Sequence, residues 1–489
     1  MAVLVAAVVA VPLPALASVR GDSTPPPASG SAVDDGVPAA TPGSRPPAAP
    51  AGPVLVPTAV AGSTAPAPTK AGLKAALGPL LSDTSLGPSV SAAVLDPATG
   101  TLLLDRRAGA ATTPASTAKL LTALAVLDAL GPDARLATTA VLAPAASGAA
   151  AGSASASSSA SASQTAARSG PGRLVLVGGG DATLASGPTD GVVPRPASLE
   201  RLAETTARAL DRQGVSRVRL DYDASAFVGP LLAPGWSDSY PALGVVAPVS
   251  ALMVDGGRAA PGGVARVADP ARAAADRFAD LLTARGVTVT DVRQGPAGTG
   301  ATELARVESP TVADLVERML TESDNTLAEA LAHLAGGVNG GEASYAGGAR
   351  ATLATLTDLG IPTAAVDLVD GSGLSRADAV PAGVLVRALA VVADRQPDWA
   401  WPVAPGLPVA GLTGTLDNRF VSTATAAAAG VVRAKTGTLT GVSALAGSVR
   451  DVDGRVLLYA VLADEVTSVL GAREVQDRIS ARLAGCGCR

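Results

Sequence analysis

Ser116-Thr117-Ala118-Lys119-Leu120-Leu121-Thr122-Ala123-Leu124-Ala125-Val126-Leu127-Asp128-Ala129-Leu130 is the stretch from which the rest of the chain can be organised. Thr112-Thr113-Pro114 precedes it as a helix start, and Gly131-Pro132 follows as a stop. From Leu120 to Leu130 only Thr122 and Asp128 are polar, and a helix apolar on nearly every side is a buried one. A serine and a lysine three residues apart therefore head a core helix and point the same way. The lysine is unusual in this chain. Of 37 basic residues only four are lysine, namely Lys70, Lys74, Lys119 and Lys435. Arginine stays protonated, whereas a desolvated lysine can lose its proton and act as a base.

Two further short motifs follow in order: Ser323-Asp324-Asn325, then Lys435-Thr436-Gly437-Thr438. A serine hydroxyl becomes a nucleophile when a neighbour takes its proton. Lys119 fits that role towards Ser116 if its pKa falls from ~10.4 towards ~7.5, a shift that costs roughly 4 kcal/mol. Burial under the apolar helix supplies part of this, and Lys435 as a second cation would supply more. Ser116 at a helix start also lies where free backbone N–H groups favour a developing oxyanion. A Ser-His-Asp arrangement has little to work with. The single histidine, His333, lies in an Ala/Leu-rich helix and is read as having no catalytic role, and no Gly-x-Ser-x-Gly occurs. One histidine and two tail cysteines make no metal ligand set, and Gly178-Gly179-Gly180-Asp181 reads as a tight turn, so neither metal nor cofactor is expected.

The 489 residues allow several domains, with 48% hydrophobic residues but only 2% aromatic, so the core is aliphatic. Net charge is −5 without a basic run, which argues against nucleic acid as a partner. Residues 1–17 read as an export signal or a signal-like segment ending in Ala15-Leu16-Ala17. Residues 18–70 read as a disordered Pro/Ala-rich tether, which gives an extracytoplasmic chain, secreted or membrane-tethered in the cell envelope. Cys486 and Cys488, one residue apart, make a poor disulfide and read as a tail without a role.

Strands are expected at Ser89–Asp96 and Thr101–Asp105 around the turn Pro97-Ala98-Thr99-Gly100, and at Leu174–Val177. Two helix-glycine-strand units follow, Ala197–Arg212 with Ser216–Tyr222 and Pro270–Arg285 with Val287–Val292. Ser309-Pro310 is expected to cap a helix to Leu320, broken at Thr321–Asn325 and resumed at Thr326–Leu334. Tyr345–Asp358 reads as a helix and Ala364–Val369 as a strand. Gly430–Lys435, Val442–Arg450 and Arg455–Ala463 form a meander with a turn at Gly437–Gly441, and Gly471–Ala484 closes as a helix. The two ends thus fold around one antiparallel sheet, an α+β domain of residues 71–136 and 306–485. Residues 137–305 interrupt it as an α/β insert with a low-complexity loop at 144–170.

With all three motifs in place the chain resembles the serine D-alanyl-D-alanine carboxypeptidase/endopeptidase family, the class C low-molecular-mass penicillin-binding proteins. Further phrases carry the resemblance: Gly178-Gly179-Gly180-Asp181-Ala182-Thr183-Leu184, Ala247-Pro248-Val249-Ser250-Ala251-Leu252, Asp370-Gly371-Ser372-Gly373-Leu374-Ser375 and Leu407-Pro408-Val409-Ala410-Gly411. A gap of about 200 residues between the first two motifs, and the lack of a Glu-x-x-x-Asn pattern before Lys435, separate it from class A β-lactamases. The resemblance implies a penicillin-recognising, β-lactamase-like fold, peptidoglycan stem peptides as substrate and acylation by β-lactam antibiotics. It makes Ser116 the acylated nucleophile, Lys119 its base and Ser323 a proton relay that Lys435 supports. Asn325 would hold the substrate backbone and Thr436 and Thr438 its terminal carboxylate, with the Ser116 and Thr438 N–H groups as oxyanion hole. A β-lactamase or esterase on the same scaffold, or a penicillin-recognising sensor or wall-binding module without turnover, are the alternatives. Oligomeric state is left open.

Overall fold

A computed structural model describes residues 65–144, 171–260 and 263–489. The signal-like segment, nearly all of the tether and most of the low-complexity loop lie outside these residues.

The first sheet gathers strands from both ends of the chain. Its order is Val432–Leu439, Val442–Arg450, Val456–Asp464, Ser89–Asp96, Thr101–Arg106, all antiparallel. The register is fixed by alternation, because one slipped residue would turn each side chain to the wrong face. Ala93, Leu95, Ala444, Ala446, Leu458, Ala460 and Leu462 face a core built on the helices Lys119–Leu130, Val312–Thr321, Asn325–Gly337 and Ala382–Asp394. Their neighbours Ala92, Val94, Leu445, Leu457, Tyr459, Val461 and Ala463 face the opposite core, under the helices Lys70–Leu81 and Val469–Ala484. Both faces are apolar, so the central strands are buried throughout.

The second sheet has the order Thr288–Gln294, Arg217–Asp223, Gly172–Val177, Arg135–Leu142, Thr302–Thr311. The first three strands are parallel, joined through the helices Leu199–Arg212 and Pro270–Thr283 as two βαβ units. Gly214 (φ 68°) and Gly286 (φ 85°) lie just past those two helices in the left-handed conformation that glycine adopts freely. The sheet is joined tightly to the first core. Arg135–Leu142 follows Lys119–Leu130 after a short turn, and Thr302–Thr311 runs directly into the helix Val312–Thr321.

Several expectations need correction. Ser309 and Pro310 belong to a strand, and the helix is capped by Thr311, whose hydroxyl and amide pair with Asp314 in a capping box. Two competent caps lay within three residues, and pairing with Arg135–Leu142 chose the later one. Residues 364–369 form no strand; Asp367 makes a single bridge to Ala379. The meander's first strand continues through Gly437 to Leu439, with its turn at Thr440-Gly441. The tail packs against the rest of the chain: Cys486 is buried, and the Cys488 carbonyl accepts the Thr69 amide at 2.9 Å. Gly178 and Gly179 are close-packing glycines, since a Cβ would lie 2.4 Å from the Ala251 carbonyl oxygen and 2.1 Å from that of Ala137.

Candidate active site

The serine turn comes first. Ala115–Ala118 is a 3₁₀ turn that leads into the helix at Lys119, so Ser116 and Lys119 nearly eclipse along the axis. Ala115 holds φ 45°, a strained value for alanine, and so tilts the turn. Two glycines let neighbouring backbone close on it. A Cβ on Gly437 would lie 2.7 Å from the Pro114 oxygen, and one on Gly373 would lie 2.0 Å from that of Ala115. The glycine of Lys-Thr-Gly is thus a steric requirement of the serine turn.

Lys119 is fully buried, as is Lys435, whereas Lys70 and Lys74 are exposed. Lys119 Nζ lies 3.0 Å from Ser116 Oγ, 2.6 Å from Asn325 Oδ1 and 2.7 Å from the Ser372 carbonyl oxygen. Burial lowers its pKa to about 8, against the pull of Glu329, Asp370, Asp324 and Asp378 in the opposite direction. The neutral amine keeps two N–H groups, which match the two carbonyl acceptors and leave its lone pair for Ser116.

Lys435 donates to Ser323 Oγ at 2.8 Å and to the Thr436 carbonyl at 2.9 Å. Burial, then the charge of Lys119, holds its pKa well below the ordinary lysine value. The two ammonium groups repel each other, and at Lys119 the carboxylates of Glu329, Asp370, Asp324 and Asp378 offset that repulsion. Ser323 sits at φ 55°, a sparsely populated value for serine, at the break between Val312–Thr321 and Asn325–Gly337. Asn325 donates through Nδ2 to the Val245 carbonyl at 2.8 Å.

Thr436 and Thr438 lie on Val432–Leu439, the free edge of the first sheet. The Ala434 amide donates outward to Pro408, and the Ala410 amide bonds the Val432 carbonyl. Alternation along the strand turns the N–H groups of Thr436 and Thr438 to the same side, past the point where the 408–410 segment ends. They face a cleft of about 740 Å³ lined by Ser116, Ser323, Asn325, Thr436 and Thr438, with the two lysines beneath its floor. All seven residues singled out from sequence therefore meet in one place. Thr436 Oγ1 bonds Thr415 Oγ1 at 2.9 Å, and Thr438 Oγ1 accepts from Arg473 at 3.0 Å.

Sequence reasoning passed over the support beneath this site. Glu329, also fully buried, accepts the amides of Gly371 and Ser372 at 3.0 and 2.7 Å and so fixes the carbonyl that holds Lys119. Burial, then Asp370, raises its pKa to about 8. Asp370 accepts the amides of Ser372, Gly373 and Ser375 and the indole of Trp236. The available signal was Glu329 itself, a carboxylate among Leu and Ala on a buried face. His333 bonds the Glu329 carbonyl at 2.8 Å through Nδ1, and burial lowers its pKa to about 4.

A buried lysine against a serine on a helical turn, beside a strand edge with open amides, defines the penicillin-recognising serine hydrolases. Residues 73–265 and 260–485 match the D-Ala-D-Ala carboxypeptidase 3 (S13) family. The chain belongs to this family and is a peptidase of that class. It is 35% identical over 449 residues to the carboxypeptidase DacB of Mycolicibacterium smegmatis, covering 91% of this chain and 90% of that one. It is 33% identical to a carboxypeptidase of Mycobacterium tuberculosis, covering 93% and 91%. Penicillin binding protein 4 of Haemophilus influenzae has a similar fold, with TM-score 0.65 at 20% identity over 83% of this chain and 99% of that one.

Proposed function

We propose that this protein cleaves the D-alanyl-D-alanine terminus of peptidoglycan stem peptides, or the equivalent D-amino-acid cross-link, through an acyl-enzyme on Ser116. The observation that carries this is the 3.0 Å approach of a fully buried Lys119 amine to Ser116 Oγ, with its other two partners both carbonyl oxygens.

The stem peptide lies along the edge strand as an added strand, its backbone paired with the open groups of Thr436 and Thr438 on one side and with Asn325 on the other. Lys119 takes the Ser116 proton as the oxygen attacks the penultimate carbonyl. The Ser116 and Thr438 N–H groups receive the oxyanion. The leaving amine gains its proton from Ser323, and the proton that Lys119 took from Ser116 is returned to Ser323, which leaves the Lys119 amine neutral again. Lys435, which donates to Ser323 Oγ at 2.8 Å, holds that hydroxyl in place. Water then releases the acyl group, and a β-lactam ring enters the same path and stalls there.

A peptidoglycan-directed family acts outside the cytoplasm, and residues 1–17 are proposed to direct export. Among the described residues no helix is long and apolar enough to cross a membrane.

Intact-mass analysis after benzylpenicillin, with Ser116→Ala alongside, tests the nucleophile. Release of D-alanine from a diacyl-D-Ala-D-Ala peptide tests the reaction. The proposal requires an adduct that is absent in the variant, together with D-alanine release. An adduct that persists in Ser116→Ala refutes the assignment, and acylation without peptide turnover favours the sensor reading.

A further inference from the structure

The cleft has a third wall, formed by the closing helix Val469–Ala484, from which Leu470, Arg473, Glu474 and Asp477 project. Two arginines lie here, in different circumstances. Arg419 is committed to Asp477, with guanidinium-to-carboxylate distances of 2.5 and 3.1 Å. Arg473 makes no ion pair among the described residues, and its guanidinium donates to Thr438 Oγ1 at 3.0 Å. It is partly buried, and burial followed by the charge of Arg419 lowers its pKa, yet arginine keeps its proton. Glu474 is exposed to solvent, which screens its charge.

We propose that Arg473 reads the α-carboxylate of the leaving D-amino acid, acting together with Thr438. This rests on the reading that Ser116 is acylated by a D-Ala-D-Ala peptide. Threonine hydroxyls supply hydrogen bonds but no charge, and both lysines lie beneath the cleft floor. Arg376, which also lines the cleft, is exposed to solvent and donates to the Thr440 carbonyl. A hydroxyl that accepts from Arg473 keeps its own hydrogen free to donate. A carboxylate at that point takes the Thr438 O–H and a remaining Arg473 N–H together, as charge-assisted bonds. A C-terminal amide carries no charge to answer the guanidinium.

The test compares a diacyl-D-Ala-D-Ala acid with its C-terminal amide, in kcat/KM, for the full chain and for Arg473→Ala and Arg473→Lys. Arg473→Ala is expected to cut the acid-over-amide preference by about 10- to 100-fold, the loss of a charge-assisted hydrogen bond. Arg473→Lys keeps the charge and should restore part of it. Equal losses on both peptides, or a preference that survives Arg473→Ala, overturns the assignment. Calorimetric binding of the same two peptides to Ser116→Ala, with and without Arg473→Ala, separates this from the chemistry. Acid-selective binding that depends on Arg473, found while the full chain with Ser116 intact releases no D-alanine, refutes the peptidase reading and keeps the carboxylate site. Acid and amide binding alike refutes the site, whatever the turnover.

Discussion

The pH dependence of acylation puts the role of Lys119 to a direct test. Burial lowers its pKa from 10.5 to about 8. About a tenth of the protein then has the amine neutral at pH 7, and about nine-tenths at pH 9. If the neutral amine takes the serine proton, the second-order rate constant for benzylpenicillin acylation climbs about tenfold from pH 6 to 7 and levels off near pH 9. Stopped-flow or gel-based labelling with a fluorescent penicillin measures this. The same shift affects stability. The folded pKa of Lys119 lies below the unfolded one, so the unfolded chain binds the proton more tightly, and this contribution to stability rises with pH between about 8 and 10.5. Below pH 8 the shift costs about 3 kcal/mol, at ~1.36 kcal/mol per unit. Lys119→Arg, which cannot give up its proton, should abolish labelling. A rate that is flat from pH 6 to 9, or an arginine variant that still labels, would refute the reasoning.

Two further substitutions probe the support. Glu329→Gln leaves one amide oxygen for the Gly371 and Ser372 donors and should cost about 1–3 kcal/mol in a denaturant titration. It also removes the largest carboxylate influence that keeps Lys119 charged, so the acylation midpoint should move to lower pH, and a midpoint that rises counts against the coupling. Gly437→Ala places a Cβ 2.7 Å from the Pro114 oxygen and 3.1 Å from Ala115 Cβ, which pushes the serine turn off its position. Acylation should fall about 10- to 100-fold while the chain remains folded by circular dichroism, and wild-type labelling would mean the turn yields without consequence.

The main architecture was legible because its signals are local. The hairpin Ser89–Asp96 and Thr101–Arg106, the buried helix after Ser116 and the meander of the last third each carry their own periodicity. The two helix-glycine-strand units were legible for the same reason. Boundaries failed where tertiary pairing decides them, as at Ser309-Pro310 and at the end of Val432–Leu439. All seven site residues lie in the three short motifs, each within three positions of its motif partners. Glu329, Thr415 and Arg473 reach the site from segments with no motif of their own. Glu329 is marked only as a carboxylate among Leu and Ala, and nothing local marks Thr415 or Arg473, because their partners are hydroxyls far away along the chain.

The second sheet is tied into the chemistry. Asn325 accepts from Lys119 on one side and donates to the Val245 carbonyl on the other, so a single amide spans the base and the segment that follows Arg217–Asp223. Thr326 Oγ1 receives the Ala247 amide at 3.0 Å, and Gly180 donates to the Ala251 carbonyl at 2.8 Å, which anchors the same segment twice more. If residues 245–251 were displaced, Asn325 would lose a partner in a buried network, and Lys119 would lose one of the two carbonyls that direct its lone pair at Ser116. The position of Lys119 therefore depends on residues 245–251, which lie between two strands of the second sheet, and under the proposed function that long interruption of the chain is part of how Ser116 would be activated.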